Sequence, residues 1–230
     1  QSGDDVRRLK RSVMSQRDNM IAFNWGEGER GKGYKVKYVV GRSDVACDET
    51  LVLSEDVTDG EALAKEIQDK GVVAEPIQLD MQSNDSIMNC VEKAESSLGT
   101  IDILVNNAGI PDAQRAHKMS LDLIDSVFDT NLRGPYVLSC EIARRLIALE
   151  KPGRMVNISS VGGFSYAGNG AALYSITKSA IVRMTECLAV EWARYNINVN
   201  AIAPGAFASE MMDGMLAVSY THLRAHETRE

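Results

Sequence analysis

The strongest constraint on the fold is a regular alternation, from residue 50 onward, of short apolar runs rich in β-formers with longer amphipathic segments. The apolar runs are residues 50–54, 75–80, 101–107, 154–159 and 197–205. Strands that alternate with helices imply crossover connections and a mostly parallel sheet covered by helices on both faces. The pattern therefore predicts one doubly wound α/β domain.

One of the intervening segments, residues 83–99, shows the helical signals in full. Ser83 or Asn84 can act as the N-cap, and Gly99 suits the residue that ends a helix. Four apolar side chains repeat at helical spacing and are expected to share one buried face. They are Ile87, Cys90, Val91 and Ala94.

Composition and charge exclude several classes of protein. The 230 residues carry a formal net charge of -7 and a pI near 5.1, which gives a field that repels nucleic acid. No apolar run approaches the ~20 residues of a membrane span, and the N-terminus lacks the order of a secretory signal. The cysteine spacings match no metal site. We expect a cytoplasmic protein with no nucleic acid, membrane or metal partner.

Small or amide residues follow three of the predicted strands. Asn106 to Gly109 ("NNAG") follow the third apolar run, Ser159 and Ser160 follow the fourth, and Pro204 and Gly205 follow the fifth. Ligands of open parallel sheets bind at the carboxyl ends of the strands. Each segment alone is equally consistent with an ordinary turn. Together they predict a ligand-binding site at the carboxyl edge of the sheet.

Tyr174 and Lys178 lie four residues apart in a predicted helix, so they project from the same face. A nearby ammonium favours the ionised phenol, which makes the tyrosine a usable acid or base. The alternative is a packed tyrosine with a lysine that extends to solvent. The pair alone does not decide between them.

The order of the motifs resembles the short-chain dehydrogenase/reductase family, in particular its 3-oxoacyl reductases, from about Leu51 to Leu216. The matching segments are "NNAG" at 106–109, the asparagine of "DTNLRG" at 131, "NISS" at 157–160, "YSITK" at 174–178 and "APG" at 203–205. The resemblance implies a Rossmann-like fold and an enzyme that transfers a hydride between a nicotinamide cofactor and an alcohol or ketone.

The resemblance also implies roles for four residues. Ser160 would hydrogen-bond the substrate oxygen, and Tyr174 would donate or accept the proton. Lys178 would bind the nicotinamide ribose and lower the pKa of Tyr174, while Asn131 would hold a water. Ser160 precedes Tyr174 by fourteen residues where the family usually has thirteen, so Ser159 stays an alternative.

Cofactor contacts are implied at several loops. Asp80 matches the acid that receives the adenine amino group, with Met81 beside it. Glu55 or Asp56, at a strand end, would bond the ribose hydroxyls and favour NAD, although NADP is not excluded. The remaining expected contacts are Asn107, Ala108, Gly109, Pro204, Gly205 and Phe207, together with Tyr174 and Lys178.

Both ends of the chain depart from the family. Residues 1–49 contain no intact T-G-x-x-x-G-x-G phosphate loop, and Gly31 and Gly33 are its nearest remnants, with Glu27 where the first glycine belongs. Residues 218–230 shift abruptly to polar composition. We therefore expect a divergent or misread segment at 1–49, the dinucleotide-binding domain at 50–217 and a non-native tail at 218–230. The first βα unit and the last strand would be missing or distorted.

Two functions follow from these observations. The first is an NAD(P)-dependent oxidoreductase that acts on a small alcohol or ketone by a Ser-Tyr-Lys(-Asn) mechanism. The second is a catalytically silent nucleotide-binding or scaffold protein, motivated by the defective phosphate loop. The helical segments at residues 122–149 and 179–195 resemble those that pair between family members, which predicts a homodimer or homotetramer.

Overall fold

The computed structural model describes residues 38–41, 49–54, 57–69, 73–112, 114–166, 168 and 170–205, all within a compact unit of residues 33–230. The strands are β1 (Tyr38–Gly41), β2 (Glu49–Ser54), β3 (Val73–Gln78), β4 (Ile103–Asn106), β5 (Gly153–Ile158) and β6 (Ile197–Ile202). The α-helices are α1 (Val57–Gln68), α2 (Asn84–Leu98), α3 (Leu121–Phe128), α4 (Gly134–Ala148) and α5 (Ala172–Trp192).

The six strands form one sheet in the order β3-β2-β1-β4-β5-β6. β2 runs parallel to β3, and β4, β5 and β6 run parallel to one another. This is the strand order of a doubly wound α/β sheet. The predicted fold class is confirmed, and each of the five apolar runs contains a strand within a few residues of its expected bounds.

β1 departs from the parallel arrangement because it runs antiparallel to both of its neighbours, β2 and β4. Its connection to β2, residues 42–48, is shorter than the dozen or so residues that a parallel crossover needs. Tyr38, the first residue of β1, pairs with Asn106, the last residue of β4. The N-terminal end of β1 therefore lies at the edge of the sheet where β4 ends. The expected distortion of the first βα unit takes this form.

The predicted features of residues 83–99 are all present in α2. The Ser83 hydroxyl accepts a hydrogen bond from the Ser86 N–H at 3.2 Å, and Gly99 ends the helix with a φ of 82°. All four of the predicted face residues are buried. They join a core in which Leu104 of β4, Ile142 of α4 and Met155 of β5 are almost fully buried.

Two other expectations have separate outcomes. Within the described ranges, no helix has the length and apolarity to cross a membrane. The proposed boundaries at residues 49 and 217 stay predictions, as does the missing last strand, since residues 206–230 lie outside the described residues.

Truncation of the core should be far more costly than truncation of the surface. Leu138 of α4 is 1% exposed, whereas Leu121 of α3 is 77% exposed. Leu138→Ala should lower the free energy of unfolding by about 2–5 kcal/mol because it leaves a cavity in the core. Leu121→Ala should change it by less than about 0.5 kcal/mol. Denaturant unfolding of the two variants measures the difference, and equal losses would contradict the placement of α4.

Candidate active site

The ends of β4, β5 and β6 lie side by side at one edge of the sheet. Asn106 pairs with Asn157, and Ile158 pairs with Ile202, in a continuous parallel register. The following loops are joined as well, because the Ser159 N–H donates to the Ile202 carbonyl at 2.7 Å. The three segments singled out in the sequence are therefore brought together.

The two adjacent serines have different partners. The Ser159 hydroxyl is buried and donates to the backbone carbonyl of Lys178 at 2.8 Å. The Ser160 hydroxyl hydrogen-bonds the side chain of Tyr174 and accepts from the Gly162 N–H at 3.1 Å. The geometry thus favours Ser160 over Ser159 as the serine that acts with Tyr174.

A 3₁₀ turn, Val161–Gly163, fixes Ser160 against α5. Ser175 and Ser179 of the helix donate side-chain hydrogen bonds to the carbonyls of Gly162 and Gly163. Glycine at 163 permits this close approach, since a Cβ there would lie 2.9 Å from the carbonyl carbon of Lys178. Backbone atoms cannot move aside as a flexible side chain can.

Tyr174 and Lys178 share one face of α5, as their spacing predicts. Lys178 is 3% exposed, and its Nζ donates to the Ile158 carbonyl at the end of β5, at 2.8 Å. The same Nζ lies 5.6 Å from the centroid of the Tyr174 ring. The lysine therefore does not extend to solvent, which removes the alternative left open by the sequence.

The pKa values of this pair differ from the expectation that Lys178 lowers the pKa of Tyr174. Burial raises the pKa of Tyr174 above its ordinary value, and the hydrogen bond with Ser160 only partly opposes the rise. Burial also lowers the pKa of Lys178 from 10.5 to about 8. The net direction is therefore opposite to the expected one, because burial is the largest cause and Lys178 is not among the causes.

Asn131 is held in a π-helical segment, Asp129–Arg133, between α3 and α4. Its side-chain Oδ1 accepts from the Ile110 N–H at 2.7 Å, and its Nδ2 donates to the Ile110 carbonyl and to the Thr177 hydroxyl. Thr177 in turn donates to the Tyr174 carbonyl at 2.8 Å. The side-chain amide thus has a protein partner at both its oxygen and its nitrogen.

The loop after β4 approaches the lysine closely. Asn107, Ala108 and Gly109 are half-buried. A Cβ built at Gly109 would lie 3.2 Å from the Lys178 Nζ, tighter than ordinary contact. Glycine at this position therefore leaves space beside the ammonium, as the close approach of a ring would require.

The other expected cofactor residues occupy different environments. The Asp80 Oδ1 accepts from the Gln82 N–H at 2.9 Å, within its own turn. Met81 is buried in the core, so only its backbone remains to contact a ligand. The Pro204 carbonyl accepts from the Val161 N–H at 3.0 Å, and Gly205 is exposed.

Five predicted cofactor contacts lie outside the described residues and stay predictions. They are Gly31, Gly33, Glu55, Asp56 and Phe207.

The sequence reasoning missed a buried polar network beneath the site. The Asn106 Nδ2 donates to the Ser139 hydroxyl and to the Asn157 Oδ1, each at 2.8 Å, and the Asn157 Nδ2 donates to Thr185 at 2.9 Å. All four residues are buried. The available signal was the polar side chains at positions where the strand and helix patterns call for apolar ones. The sequence reasoning also missed Asp112, whose carboxylate accepts hydrogen bonds from the first turn of α5.

The chain belongs to the short-chain dehydrogenase family, whose family model matches residues 42–217. It is 34% identical over 170 residues to the 2-dehydro-3-deoxy-D-gluconate 5-dehydrogenase of Dickeya dadantii, a match that covers 74% of this chain and 66% of that protein. It is 40% identical over 152 residues to the 3-oxoacyl-(acyl-carrier-protein) reductase of Aquifex aeolicus, over 65% of this chain and 60% of the relative.

A similar solved structure is the gluconate 5-dehydrogenase of Burkholderia cenocepacia in complex with NADP and tartrate. The TM-score is 0.67 at 29% sequence identity, and the match covers 72% of this chain and 64% of that one. The chain thus spans somewhat less than two thirds of the length of these proteins. The comparisons confirm the family suggested by the motifs.

The lowered pKa of Lys178 should be visible in the pH dependence of stability. Between pH 8 and 10.5 the unfolded chain holds a proton that the native lysine has released, so the free energy of unfolding rises with pH across this window. Relative to Lys178→Met, the unaltered protein should gain about 3 kcal/mol from pH 7 to pH 10.5. Urea unfolding of both proteins measures this, since titrations that they share cancel. Parallel pH curves would contradict the burial of the ammonium.

Proposed function

We propose that the protein is an NAD(P)-dependent oxidoreductase that interconverts an alcohol and a ketone. The observation that carries the proposal is the joint placement of Ser160, Tyr174 and Lys178 at the carboxyl ends of the parallel strands. Hydride transfer to a carbonyl develops negative charge on its oxygen, and hydroxyl donors are the groups that stabilise such charge. The family membership supports the same chemistry.

This geometry supports a proposed role for each side chain. The Ser160 hydroxyl and the Tyr174 phenol are hydrogen-bonded to each other. Both would donate hydrogen bonds to the substrate oxygen. Because burial raises the pKa of Tyr174, the phenol is protonated at neutral pH and ready to donate. Lys178 titrates at about 8, near enough to neutrality to accept or return a proton beside the tyrosine.

The residues present fit a nicotinamide dinucleotide. Gly109 has no side chain that would crowd the Lys178 Nζ, and we expect the lysine and Asn107 to hold the nicotinamide ribose there. When bound, the cofactor supplies or accepts the hydride. Asp80 would contact the adenine end. An acid at Glu55 or Asp56 favours NAD, while the relative from Burkholderia cenocepacia binds NADP, so either form is compatible with this proposal.

The substrate is a small molecule with a ketone or a secondary alcohol. The names of the relatives indicate sugar acids and 3-oxoacyl thioesters, which share that group. Phe164, 68% exposed, and Tyr166 lie in the loop between Ser160 and Tyr174 and give this loop an apolar surface. An apolar part of the substrate would pack there. The acidic charge and the substrate class are consistent with a cytoplasmic location and no nucleic-acid partner.

The direction of β1 supports the second candidate function, a catalytically silent nucleotide-binding or scaffold protein. β1 runs antiparallel to β4, so no loop leaves β1 at the edge where a phosphate loop would follow a parallel first strand. A scaffold or silent nucleotide-binding protein would follow if the cofactor cannot bind. Micromolar NADH binding in a fluorescence titration would contradict a protein that cannot place the cofactor, and ketone turnover distinguishes the oxidoreductase from a protein that binds a nucleotide without reaction.

Loss of the phenol should abolish turnover without loss of cofactor binding. Tyr174→Phe should lower kcat by about 10²- to 10⁴-fold, the usual contribution of a positioned acid or base. Tyr195→Phe is the matched control, since Tyr195 lies beyond the other end of α5. Ketone reduction with NADH and NADPH, followed by absorbance, measures the rates. Equal turnover in the two variants would exclude Tyr174 as the proton donor.

The helical surface of α4 and α5 supports the predicted homo-oligomer. Val190 is 81% exposed and Tyr136 is 48% exposed, although both are large apolar side chains on long helices. A second copy of the chain would cover these side chains.

A charge on this surface should therefore dissociate the oligomer. Val190→Asp should convert a dimer or tetramer into a smaller species, because it places an unpaired carboxylate in an apolar contact. Val73→Asp is the control, as Val73 is 53% exposed on the edge strand β3. Light scattering after gel filtration measures the mass. A monomeric unaltered protein, or a Val190→Asp variant of unchanged mass, would contradict the proposed surface.

A further inference from the structure

The helix that carries Tyr174 and Lys178 has no local cap. Its N-cap residue, Ala171, makes no side-chain hydrogen bond. The cap comes instead from Asp112, in the loop after β4, whose Oδ2 accepts from the N–H of Leu173 at 2.8 Å and from that of Tyr174 at 3.3 Å. An N-cap carboxylate satisfies the same amides at a helix start. One carboxylate thus fixes the backbone of Tyr174 itself.

The loop that contains Asp112 is fastened on both sides. Upstream, both backbone groups of Ile110 are bonded by the Asn131 side chain. Downstream, Gln114 forms an isolated parallel bridge with Ala171, and the Arg115 side chain donates to the Gly168 carbonyl at 2.9 Å. These contacts on both sides hold Asp112 in place. The same loop also contains Gly109, which lies next to the Lys178 Nζ.

The burial of Asp112 argues against an incidental cap. The residue is 2% exposed, and its second oxygen, Oδ1, is buried without a hydrogen-bond partner in the described part of the chain. A buried carboxylate is costly unless it is compensated, and the compensation here comes from two amides and the positive end of α5. The side chain therefore occupies a costly site, and one of the two amides that it binds belongs to Tyr174.

We propose that Asp112 is a positioning residue for Tyr174. It ties the first turn of α5 to the loop after β4, and so holds the phenol in register with Ser160 and with the space beside Gly109. Lys178 is fixed independently by the Ile158 carbonyl, so loss of Asp112 displaces the tyrosine and leaves the lysine in place. The effect on turnover rests on the proposed function; the effect on the position of Tyr174 does not.

Three variants test this inference in the full chain. Asp112→Ala removes the cap, Asp112→Asn keeps an oxygen acceptor of the same shape, and Ser120→Ala is the matched control. Ser120 caps α3, where its hydroxyl accepts from the Leu123 N–H at 3.3 Å, and it is exposed and remote in role from the proposed chemistry. Loss of either cap should cost stability, but of these two capping side chains only Asp112 accepts from the Tyr174 N–H.

Turnover should separate positioning from stability. Asp112→Ala should lower kcat about tenfold or more, since a displacement of about 1 Å can cost up to about 10²-fold, and it should leave NADH affinity nearly unchanged. Asp112→Asn should recover most of the loss, and Ser120→Ala should match the unaltered protein. The inference is overturned if Asp112→Ala keeps full kcat, if its NADH affinity falls in equal proportion, or if Asp112→Asn gives no recovery.

A second measurement decides the inference even if the unaltered protein shows no turnover and the proposed function fails. The ring carbon Cζ of Tyr174 can be followed by NMR and assigned by its loss in Tyr174→Phe. Its resonance should shift in Asp112→Ala, return in Asp112→Asn and stay constant in Ser120→Ala. A constant resonance in Asp112→Ala would overturn the inference. If Asp112→Ala does not fold, Asp112→Asn tests the inference instead. This variant should fold and keep the Tyr174 Cζ resonance, and a shifted resonance in a folded Asp112→Asn variant would overturn the inference.

Discussion

The buried ammonium of Lys178 is the interaction on which the candidate site depends. Its Nζ binds the carbonyl that ends β5, so it joins helix α5 to the sheet at the edge where three parallel strands finish. Burial makes this contact costly for the charged lysine, as the lowered pKa of about 8 records. The protein thus accepts reduced stability at this buried lysine, beside the phenol of Tyr174.

Around that contact the site is assembled from segments far apart in sequence. Ser160 reaches Tyr174 because a glycine-containing turn packs directly on the backbone of α5. Asn131 connects the loop after β4 with Thr177 of the helix. These bonds fix backbone as well as side chains, so the phenol, the serine and the lysine are held before any ligand arrives. Such preorganisation is what electrostatic catalysis requires.

The N-terminal part of the sheet stands apart from this arrangement. The parallel strands β4, β5 and β6 have long crossover segments between them, whereas β1 and β2 are separated only by residues 42–48 and pair antiparallel. The parallel strands β4, β5 and β6 that carry the family motifs are therefore present, while β1 has the direction opposite to that of the family's first strand. The side chains proposed to act on the substrate and the segment expected to bind the cofactor phosphates therefore lie in different parts of the sheet. Turnover measurements test the first, and NADH titration tests the second.

The sequence by itself determined the alternation of strands and helices, the face of α2 and the motif order that marks the family. Each of these depends on periodicity or spacing within one segment, which a linear pattern records. Only the tertiary structure showed that Ser160 contacts the Tyr174 side chain while Ser159 bonds the helix backbone, that burial raises the pKa of Tyr174, that β1 runs antiparallel and that Asp112 lies at the start of α5. These features arise from burial and from contacts between distant segments. No local spacing encodes them, because the desolvation of a side chain depends on every element packed around it.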